Sequence, residues 1–183
     1  MNKIINLKQK LIPVILTLVV ILLDQISKAL VVKYIPMIYS PEEGVKIIEI
    51  FGKYLRFIHV RNPAIAFSMG HNLPDIWRSV LFGIVPLIVV IVIFVIYFRQ
   101  NDFSQVNRWL ICGILGGGIG NLIDRFFRPA GVVDFIDCYF FGIFGMERWP
   151  TFNIADSAVV ICGAIFVVSF IVSLVKDLKK SKA

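Results

Sequence analysis

The chain has 183 residues, of which 58% are hydrophobic and only 17% are charged, and its formal net charge is +7. A soluble domain has roughly 45–50% apolar residues, so this composition excludes a soluble globule, a disordered chain and a small secreted domain held by disulfides. Because the basic residues gather at the ends of apolar segments, the positive charge indicates membrane topology and not nucleic-acid binding.

Four apolar segments approach or reach the length of about 20 residues that a helix needs to cross a bilayer. The first contains Asp24 and Lys28, and the third has only 15 uncharged residues before Asp124, so its far end needs shelter by protein or a polar interface. The basic start could also belong to a secretory signal peptide, but no small-residue cleavage site follows it. We therefore predict one integral membrane domain, residues 1–183, with helices at about 11–32, 77–98, 109–126 and 154–175.

The distribution of Lys and Arg predicts the orientation of these helices. Residues 1–10, 99–108 and 176–183 hold 9 of them in 28 positions, whereas 33–78 and 124–153 hold 9 in 76. Positive residues favour the cytoplasmic side of a membrane. We therefore expect both termini in the cytoplasm and two long extracytoplasmic loops.

The first of these loops contains two β-rich runs, VKIIEIF and YLRFIHV, separated by Gly52. Such runs around a glycine are typical of a hairpin. We predict a small extracytoplasmic β-rich cradle at about residues 44–68, between helices 1 and 2. The predicted fold class is thus an all-α membrane protein with four transmembrane helices, both termini cytoplasmic, and this cradle.

The predicted topology brings polar residues from distant parts of the chain to one level, at the outer membrane face. An ionisable residue inside a span costs about 2.5–3.5 kcal/mol, and is therefore a functional candidate. The residues that meet there are Asp24, Lys28, Asn121, Asp124, Arg125, Asp134, Asn153 and Asp156.

Some of these residues have a structural interpretation. Asp24 and Lys28 have the i,i+4 spacing of an ion pair, and Asp124 precedes Arg125 and Arg128 on its helix. In contrast, Asp134 and Asp156 lie in apolar surroundings without a neighbouring cation. Acids in such settings should titrate at a raised pH, which is typical of functional sites.

Several kinds of chemistry are not supported by the pattern. The two histidines lack zinc-site spacing, the segment GGGIGN has neither the preceding strand nor the Lys of a phosphate loop, and no serine has a recognisable base. We interpret GGGIGN as small residues for close helix packing, and expect neither metal nor cofactor. Asp134 and Asp156, 22 residues apart, could share one proton and activate water for peptide hydrolysis.

Five blocks of the sequence follow one another in this order: LDQISK at 23–28, RNPAIAFS at 61–68, GGIGNLIDR at 117–125, VVDF at 132–135 and FNIADS at 152–157. In sequence and order they resemble the motifs of a known family, the lipoprotein signal peptidases of bacteria (signal peptidase II), which are four-helix intramembrane aspartic proteases. One departure is the pair Ala64-Ile65, where the family commonly has Gly-Ala, which affects the expected turn beside Asn62 but not the two acids.

The resemblance implies a catalytic dyad of Asp134 and Asp156, and an endopeptidase that cuts diacylglyceryl-modified prolipoproteins immediately before the lipidated cysteine. It further implies a monomer in the bacterial inner membrane, in contact with lipid, with its site at the extracytoplasmic face, and inhibition by cyclic peptides of the globomycin type. The site would be lined by Asn62, Asn121, Arg125 and Asn153, and supported by Asp24, Lys28 and Asp124. Asp137 falls outside the matched positions and is expected to be solvated or structural.

Two other classes of protein remain as alternatives. A small proton-coupled transporter would also use intramembrane acids, but would place them near the middle of the bilayer with routes to both sides. A structural subunit, in which the polar residues only hold helices together, would tolerate conservative substitutions at Asp134 and Asp156. The clustering of the candidates at one membrane face favours the peptidase.

Overall fold

The computed structural model describes residues 6–38, 46–63 and 74–180 of the chain. This part contains four helical segments that are long and apolar enough to cross a membrane, namely Leu7–Tyr34, Val80–Arg99, Gln105–Phe127 and Ile154–Lys176. Its helices in chain order are α1 (Leu7–Leu11), α2 (Val14–Tyr34), α3 (Asp75–Ser79), α4 (Val85–Arg99), α5 (Gln105–Phe127) and α6 (Ile154–Lys180), and a π-helical turn at Val80–Ile84 joins α3 to α4.

Helix α5 is longer than the predicted 109–126 because a buried arginine lies inside it. The helix begins after Ser104, whose side chain accepts a hydrogen bond from the Asn107 amide at 3.1 Å. Arg108 is completely buried and donates to the carbonyls of Tyr97 at 3.3 Å and Gln100 at 2.9 Å. These carbonyls end α4, where a cation is favourable. The predicted helix began just after Arg108 because of its charge. In the structure this charge lies within α5 and caps the end of α4.

Helix α5 packs closely against both α2 and α6 because glycines face its neighbours. A Cβ atom on Gly117 would lie 2.3 Å from the carbonyl oxygen of Ala155 in α6. One on Gly120 would lie 2.8 Å from a carboxylate oxygen of Asp24 in α2. Neither distance is sterically possible, so the predicted role of the GGGIGN segment in helix packing is confirmed.

A three-stranded antiparallel sheet has the order β1 (Ile48–Glu49), β2 (Leu55–Asn62) and β3 (Val132–Cys138). The predicted cradle extended over residues 44–68, of which 44–45 and 64–68, including Ala64 and Ile65, lie outside the described residues. Asp134 falls between the third and fourth predicted helices, in a segment that we expected to be a loop. This expectation was wrong, because Val133 and Phe135 pack on one face of a strand against the end of α2.

The third strand lies across the ends of three long helices. The Val133 amide donates to Asp124 of α5 at 3.0 Å, and its side chain packs against Val31 of α2. Ile136 pairs with Phe152, which lies two residues before the start of α6. The sheet therefore covers the end of the helix bundle. The predicted fold class, four membrane helices with a small β-rich element, is confirmed, and the cytoplasmic location of both termini stays a prediction.

Candidate active site

Strand β3 and helix α6 bring two carboxyl groups to one cavity at the sheet end of the bundle. Asp134 lies in the middle of β3 and is 3% exposed, and Asp156 lies in the first turn of α6. Both line a cavity of about 500 Å³, whose other polar lining residues are Asn62, Asn121, Arg125, Thr151 and Ser157.

The start of α6 holds Asp156 in a capping box with Asn153. The side-chain oxygen of Asn153 accepts a hydrogen bond from the Asp156 amide at 3.0 Å, and the Asp156 carboxylate accepts one from the Asn153 amide at 3.1 Å. This reciprocal arrangement satisfies two backbone donors that a helix start leaves free. The positive end of the helix dipole lies at the same place, so the local structure stabilises negative charge on Asp156.

Asp134 has a different environment. Its two carboxylate oxygens accept hydrogen bonds from Asn62 at 3.0 Å and from Asn153 at 2.7 Å. Burial, and secondarily the nearby charge of Asp156, raises the pKa of Asp134 to about 7, although the two amides oppose this shift. Asp134 is therefore mostly protonated below this pH and loses its proton above it.

The orientation of the Asn121 side chain is determined by a buried lysine. Lys28 donates to the side-chain oxygen of Asn121 at 3.0 Å, and Asn153 donates to the same oxygen at 3.1 Å. An ammonium group can only donate, so the amide nitrogen of Asn121 must point the other way. It donates to Asp156 at 2.7 Å. A chain of hydrogen bonds thus links the core of the bundle to one of the two acids.

Two further carboxylates hold the backbone beside the cavity acids, one next to Asp156 and one next to Asp134. Asp24 accepts a hydrogen bond from the amide of Ala155, which precedes Asp156, at 3.0 Å. Asp124 accepts one from the amide of Val133, the residue before Asp134, at 3.0 Å. The structure therefore positions β3 and the start of α6 through acids that belong to other helices.

These two carboxylates are neutralised by buried and half-buried cations. Lys28 contacts Asp24 at 2.8 Å and Asp124 at 3.0 Å, and all three side chains are fully buried. Arg128 contacts Asp124 at 2.8 Å. Both ion pairs expected at i,i+4 spacing are thus present, and Arg128, not Arg125, is the partner of Asp124.

Arg125 faces the cavity instead. It lies close enough to interact electrostatically with Asp134 and Asp156, and within the described part of the chain it forms neither a hydrogen bond nor an ion pair. A cation at this position can attract a polar group of a ligand to the two acids. With Arg125 included, the structure brings all the site residues predicted from the sequence to one end of the bundle.

Gln25 belongs to this cluster, although we predicted no role for it beyond its place in the LDQISK block. Its side-chain nitrogen donates to Asp24 at 3.0 Å, to the Gly120 carbonyl at 3.0 Å and to Asp124 at 3.2 Å. An amide next to an acidic residue is common on helices. Only the approach of α5, more than ninety positions later in the chain, makes this one a bridge.

Asp137 lies outside the cavity lining. It is 2% exposed and binds Arg56 at 2.7 Å and Arg148 at 2.6 Å. Of the two roles expected for it, the structure excludes a solvated one and supports a structural one, which is to connect β2 and β3 with the segment before α6. Among the described residues, no three His, Cys, Asp or Glu side chains are arranged to hold a metal ion.

The fold and the site define a class of protein, a multi-pass membrane protein with two inequivalent acids at one end of its helix bundle. The comparison with known proteins narrows this class. The family model described as "Signal peptidase (SPase) II" matches residues 16–172, so the chain belongs to the signal peptidase II family and is a peptidase.

Individual relatives are similar over most of their length. The chain is 51% identical to the lipoprotein signal peptidase of Treponema pallidum (strain Nichols) over 90% of its own length and 85% of the relative's. It is 45% identical to the lipoprotein signal peptidase of Treponema denticola over 95% and 96% of the two lengths. A solved structure of a bacterial membrane enzyme, 26% identical in sequence, matches with a TM-score of 0.70 over 92% of this chain and 90% of the other.

Proposed function

We propose that the protein is an intramembrane aspartic endopeptidase. It removes the signal peptide from diacylglyceryl-modified prolipoproteins by cutting immediately before the lipidated cysteine. Membership of the signal peptidase II family and the similarity to lipoprotein signal peptidases support the substrate class. The observation that carries the mechanism is the placement of Asp134 and Asp156 in one cavity, in surroundings that favour different protonation states.

In the first step Asp156 is the base and Asp134 is the acid. Asp156 removes a proton from a water molecule as the water oxygen attacks the carbonyl carbon of the scissile peptide bond. Asp134 gives its proton to the carbonyl oxygen, which becomes a hydroxyl group of a tetrahedral intermediate. No covalent bond forms between protein and substrate, and both acids have exchanged protonation states at the end of this step.

In the second step the intermediate collapses. Asp156 returns its proton to the nitrogen of the leaving cysteine, the C–N bond breaks, and Asp134 recovers the proton from the hydroxyl oxygen as the new carboxyl group forms. The products are the signal peptide with a free carboxyl end and a lipoprotein with a free α-amino group. Each acid regains its starting state, so the cycle can repeat.

The surrounding residues have two roles in this proposal. Asn62, Asn121, Arg125 and Asn153 line the site, where they orient the acids and bind the substrate backbone. Asp24, Lys28 and Asp124 position the backbone segments that carry the acids, through the amides of Ala155 and Val133.

The apolar lining of the cavity suits a lipidated substrate. Its lining is mainly apolar and includes Phe152, Val160 and Ile161, of which the last two lie on the exposed face of α6. Acyl chains could therefore reach the site from the surrounding membrane lipid. We place the protein in the bacterial inner membrane as a monomer, with the site at the extracytoplasmic face, and expect inhibition by globomycin-type cyclic peptides.

The test compares two synthetic precursors that differ only in the diacylglyceryl group on the cysteine, with purified protein in phospholipid. We expect only the modified precursor to be cut, and mass spectrometry of the products to locate the cut before the cysteine. An Asp156→Asn variant is the inactive control. Equal cleavage of both precursors, or cleavage elsewhere in the chain, would contradict the proposed specificity.

A further inference from the structure

Two turns meet at the end of the sheet that is distant from the acids. Leu55 pairs with Cys138 at this end of β2 and β3, and the Tyr139 amide donates to the Tyr54 carbonyl at 2.9 Å. The turn between β1 and β2 therefore lies beside the hairpin turn that follows β3. We call residues 50–54 and 139–149 together the aromatic tip.

The aromatic tip exposes large apolar side chains. Phe144 is 87% exposed, Phe51 is 69% exposed and Phe141 is 67% exposed. Ile143 and Tyr54 add to the same surface, with exposures of 47% and 54%. Single exposed apolar residues are common on proteins, but a contiguous group of this kind marks a surface of interaction.

The exposed ring of Phe141 is held in place by the structure. Phe141 and Phe144 have φ angles of 58° and 53°, in the left-handed region that residues with side chains rarely occupy. The ring of Phe141 packs against Tyr139 with a centroid distance of 4.9 Å and against Tyr54 at 6.0 Å. A strained backbone persists only where its surroundings maintain it. The presentation of the Phe141 ring is therefore built into the fold.

The course of β3 determines where the aromatic tip lies. Four consecutive residues, 133–136, contact the ends of α2 and α5 and the segment that enters α6. A strand that touches all three lies over the end of the bundle. The hairpin remains paired as far as Phe140, which bonds to Glu147, roughly 13 Å beyond Ile136 at 3.3 Å per residue. The tip thus extends well beyond the part of β3 that contacts the helices.

The charges near the tip fit a phospholipid surface. Lys53 is exposed, and its ammonium group lies 5.0 Å from the centre of the Tyr139 ring and 5.7 Å from that of Tyr54. Aromatic rings beside a lysine are typical of the zone where acyl chains meet lipid headgroups. Arg148, in contrast, is occupied by its ion pair with Asp137.

We propose that the aromatic tip inserts into the headgroup region of the membrane leaflet that surrounds the sheet end of the helix bundle. Phe51, Phe141 and Phe144 enter the apolar boundary of this layer, and Lys53 binds lipid phosphate. The insertion continues the lipid contact of the four membrane helices onto the sheet. Because Asp134 lies in β3, the same contact sets the height of the sheet above the bilayer.

The test uses a nitroxide spin label at Phe144→Cys, in a chain whose Cys112, Cys138 and Cys162 are alanine, reconstituted in phospholipid bilayers. Phe144 is almost fully exposed, so the label should not disturb the fold. Two positions serve as references, Ile91→Cys on the exposed face of α4 for lipid and Asp102→Cys in the loop before α5 for water.

We expect collisions of the Phe144 label with a water-soluble nickel complex to be severalfold fewer than those of the Asp102 label, and collisions with oxygen to approach those of the Ile91 label. A label at Phe51→Cys, in the other turn, should behave like the one at Phe144. Nickel accessibility at both tip positions equal to that at Asp102 would overturn the proposal. Spin–spin broadening that grows with protein density would also overturn it, because a second copy of the chain would then cover the tip.

Discussion

Asp134 and Asp156 have different surroundings because one lies in a strand and the other at the start of a helix. Asp156 occupies a helix start, where an amide and the helix dipole stabilise its negative charge. Asp134 lies buried in a strand, and its carboxyl oxygens accept hydrogen bonds from two neutral amides, those of Asn62 and Asn153. In the proposed mechanism the same chemical group is thus prepared for opposite roles.

The pH dependence of cleavage follows from the proton on Asp134. Its pKa is raised to about 7, so the proton that the mechanism needs is present below this pH and is lost as the pH rises through it. We expect kcat/KM to fall about tenfold per pH unit on the alkaline side, with an apparent pKa that belongs to the pair of acids. A rate that stays constant from pH 6 to pH 9 would contradict the assignment of Asp134 as the acid.

A substitution beside Asp134 should change the pH at which kcat/KM falls. Asn62 donates to Asp134 and lowers its pKa, so Asn62→Ala should move the fall in kcat/KM to higher pH. The matched control is Asn101→Ala, at an exposed position between α4 and α5, which should leave the profile in place. The quantity to compare is the pH at which kcat/KM falls. The maximal value of kcat/KM is not informative, because Asn62 also lines the cavity.

For individual residues, the sequence predicted which side chains form the site but not the hydrogen bonds between them. Asp24, Asp124 and Asp156 could be grouped because the ends of membrane helices share one level. The direction of the Asn121 amide could not be predicted, since it depends on Lys28 reaching it across 93 positions of the chain. The link from Asp24 to the Ala155 amide spans 131 positions and likewise leaves no pattern in the sequence.

At the scale of elements, Lys28 connects α2 to α5 by neutralising two buried carboxylates. Its removal leaves both charges without this partner, and breaking a buried ion pair in this way costs about 3–5 kcal/mol. We expect Lys28→Met to lower the melting temperature strongly. Lys33→Met, one turn further on the exposed side of α2, should change it little. Equal melting temperatures for the two variants would show that the buried cluster does not stabilise the helix pair.

The contact between α5 and α6 can be tested by adding a single methyl group. Gly117→Ala places a Cβ atom 2.3 Å from the Ala155 carbonyl oxygen, so the helices must separate. Overpacking of this kind costs about 1–3 kcal/mol. Gly163→Ala is the matched control, because a Cβ there meets nothing within 4 Å, and it should be neutral or slightly stabilising. Thermal melting in detergent distinguishes the two. A Gly117→Ala variant as stable as the parent would refute the close packing.

The helices were predictable from apolar length, whereas their ends and the third strand were not. The segment before α5 looked like a loop because Arg108 interrupts the apolar run, yet a buried guanidinium can stay in the helix by capping α4. The segment Val132–Cys138 contains two acids, which concealed its strand pattern. Both acids are accommodated by partners outside the strand itself, Asn153 for Asp134 and Arg56 and Arg148 for Asp137.

At the scale of the whole molecule, the orientation in the membrane rests on the distribution of basic residues. We expect a cysteine at Asp102 to lie in the cytoplasm and one at Ala130, in the turn between α5 and β3, to lie outside; both positions are exposed. In intact cells a membrane-impermeant maleimide should label Ala130→Cys at once and Asp102→Cys only after lysis, in a chain with the native cysteines replaced by alanine. The reverse order of labelling would invert the proposed topology.

The molecule as a whole combines a lipid-facing bundle with a polar end that the sheet covers. This arrangement agrees with a peptidase whose substrate is anchored in the same membrane, because the substrate can reach the cavity by lateral diffusion. The transporter alternative would need acids in the other half of the bundle. Within the four membrane spans of the described chain the acids are Asp24, Asp124 and Asp156, and all three lie toward the sheet end.

The measurement that tests the central claim most directly is the cleavage rate of a diacylglyceryl-modified precursor by Asp134→Asn and Asp156→Asn, relative to the parent, at equal amounts of folded protein. Each substitution preserves volume and hydrogen bonding but removes the exchangeable proton, so we expect each to abolish turnover. Asp137→Asn, three residues from Asp134 but outside the cavity, should retain turnover per folded molecule even if its yield falls. Residual activity within about tenfold of the parent in either cavity variant, a barrier change of only about 1.4 kcal/mol, would contradict the account.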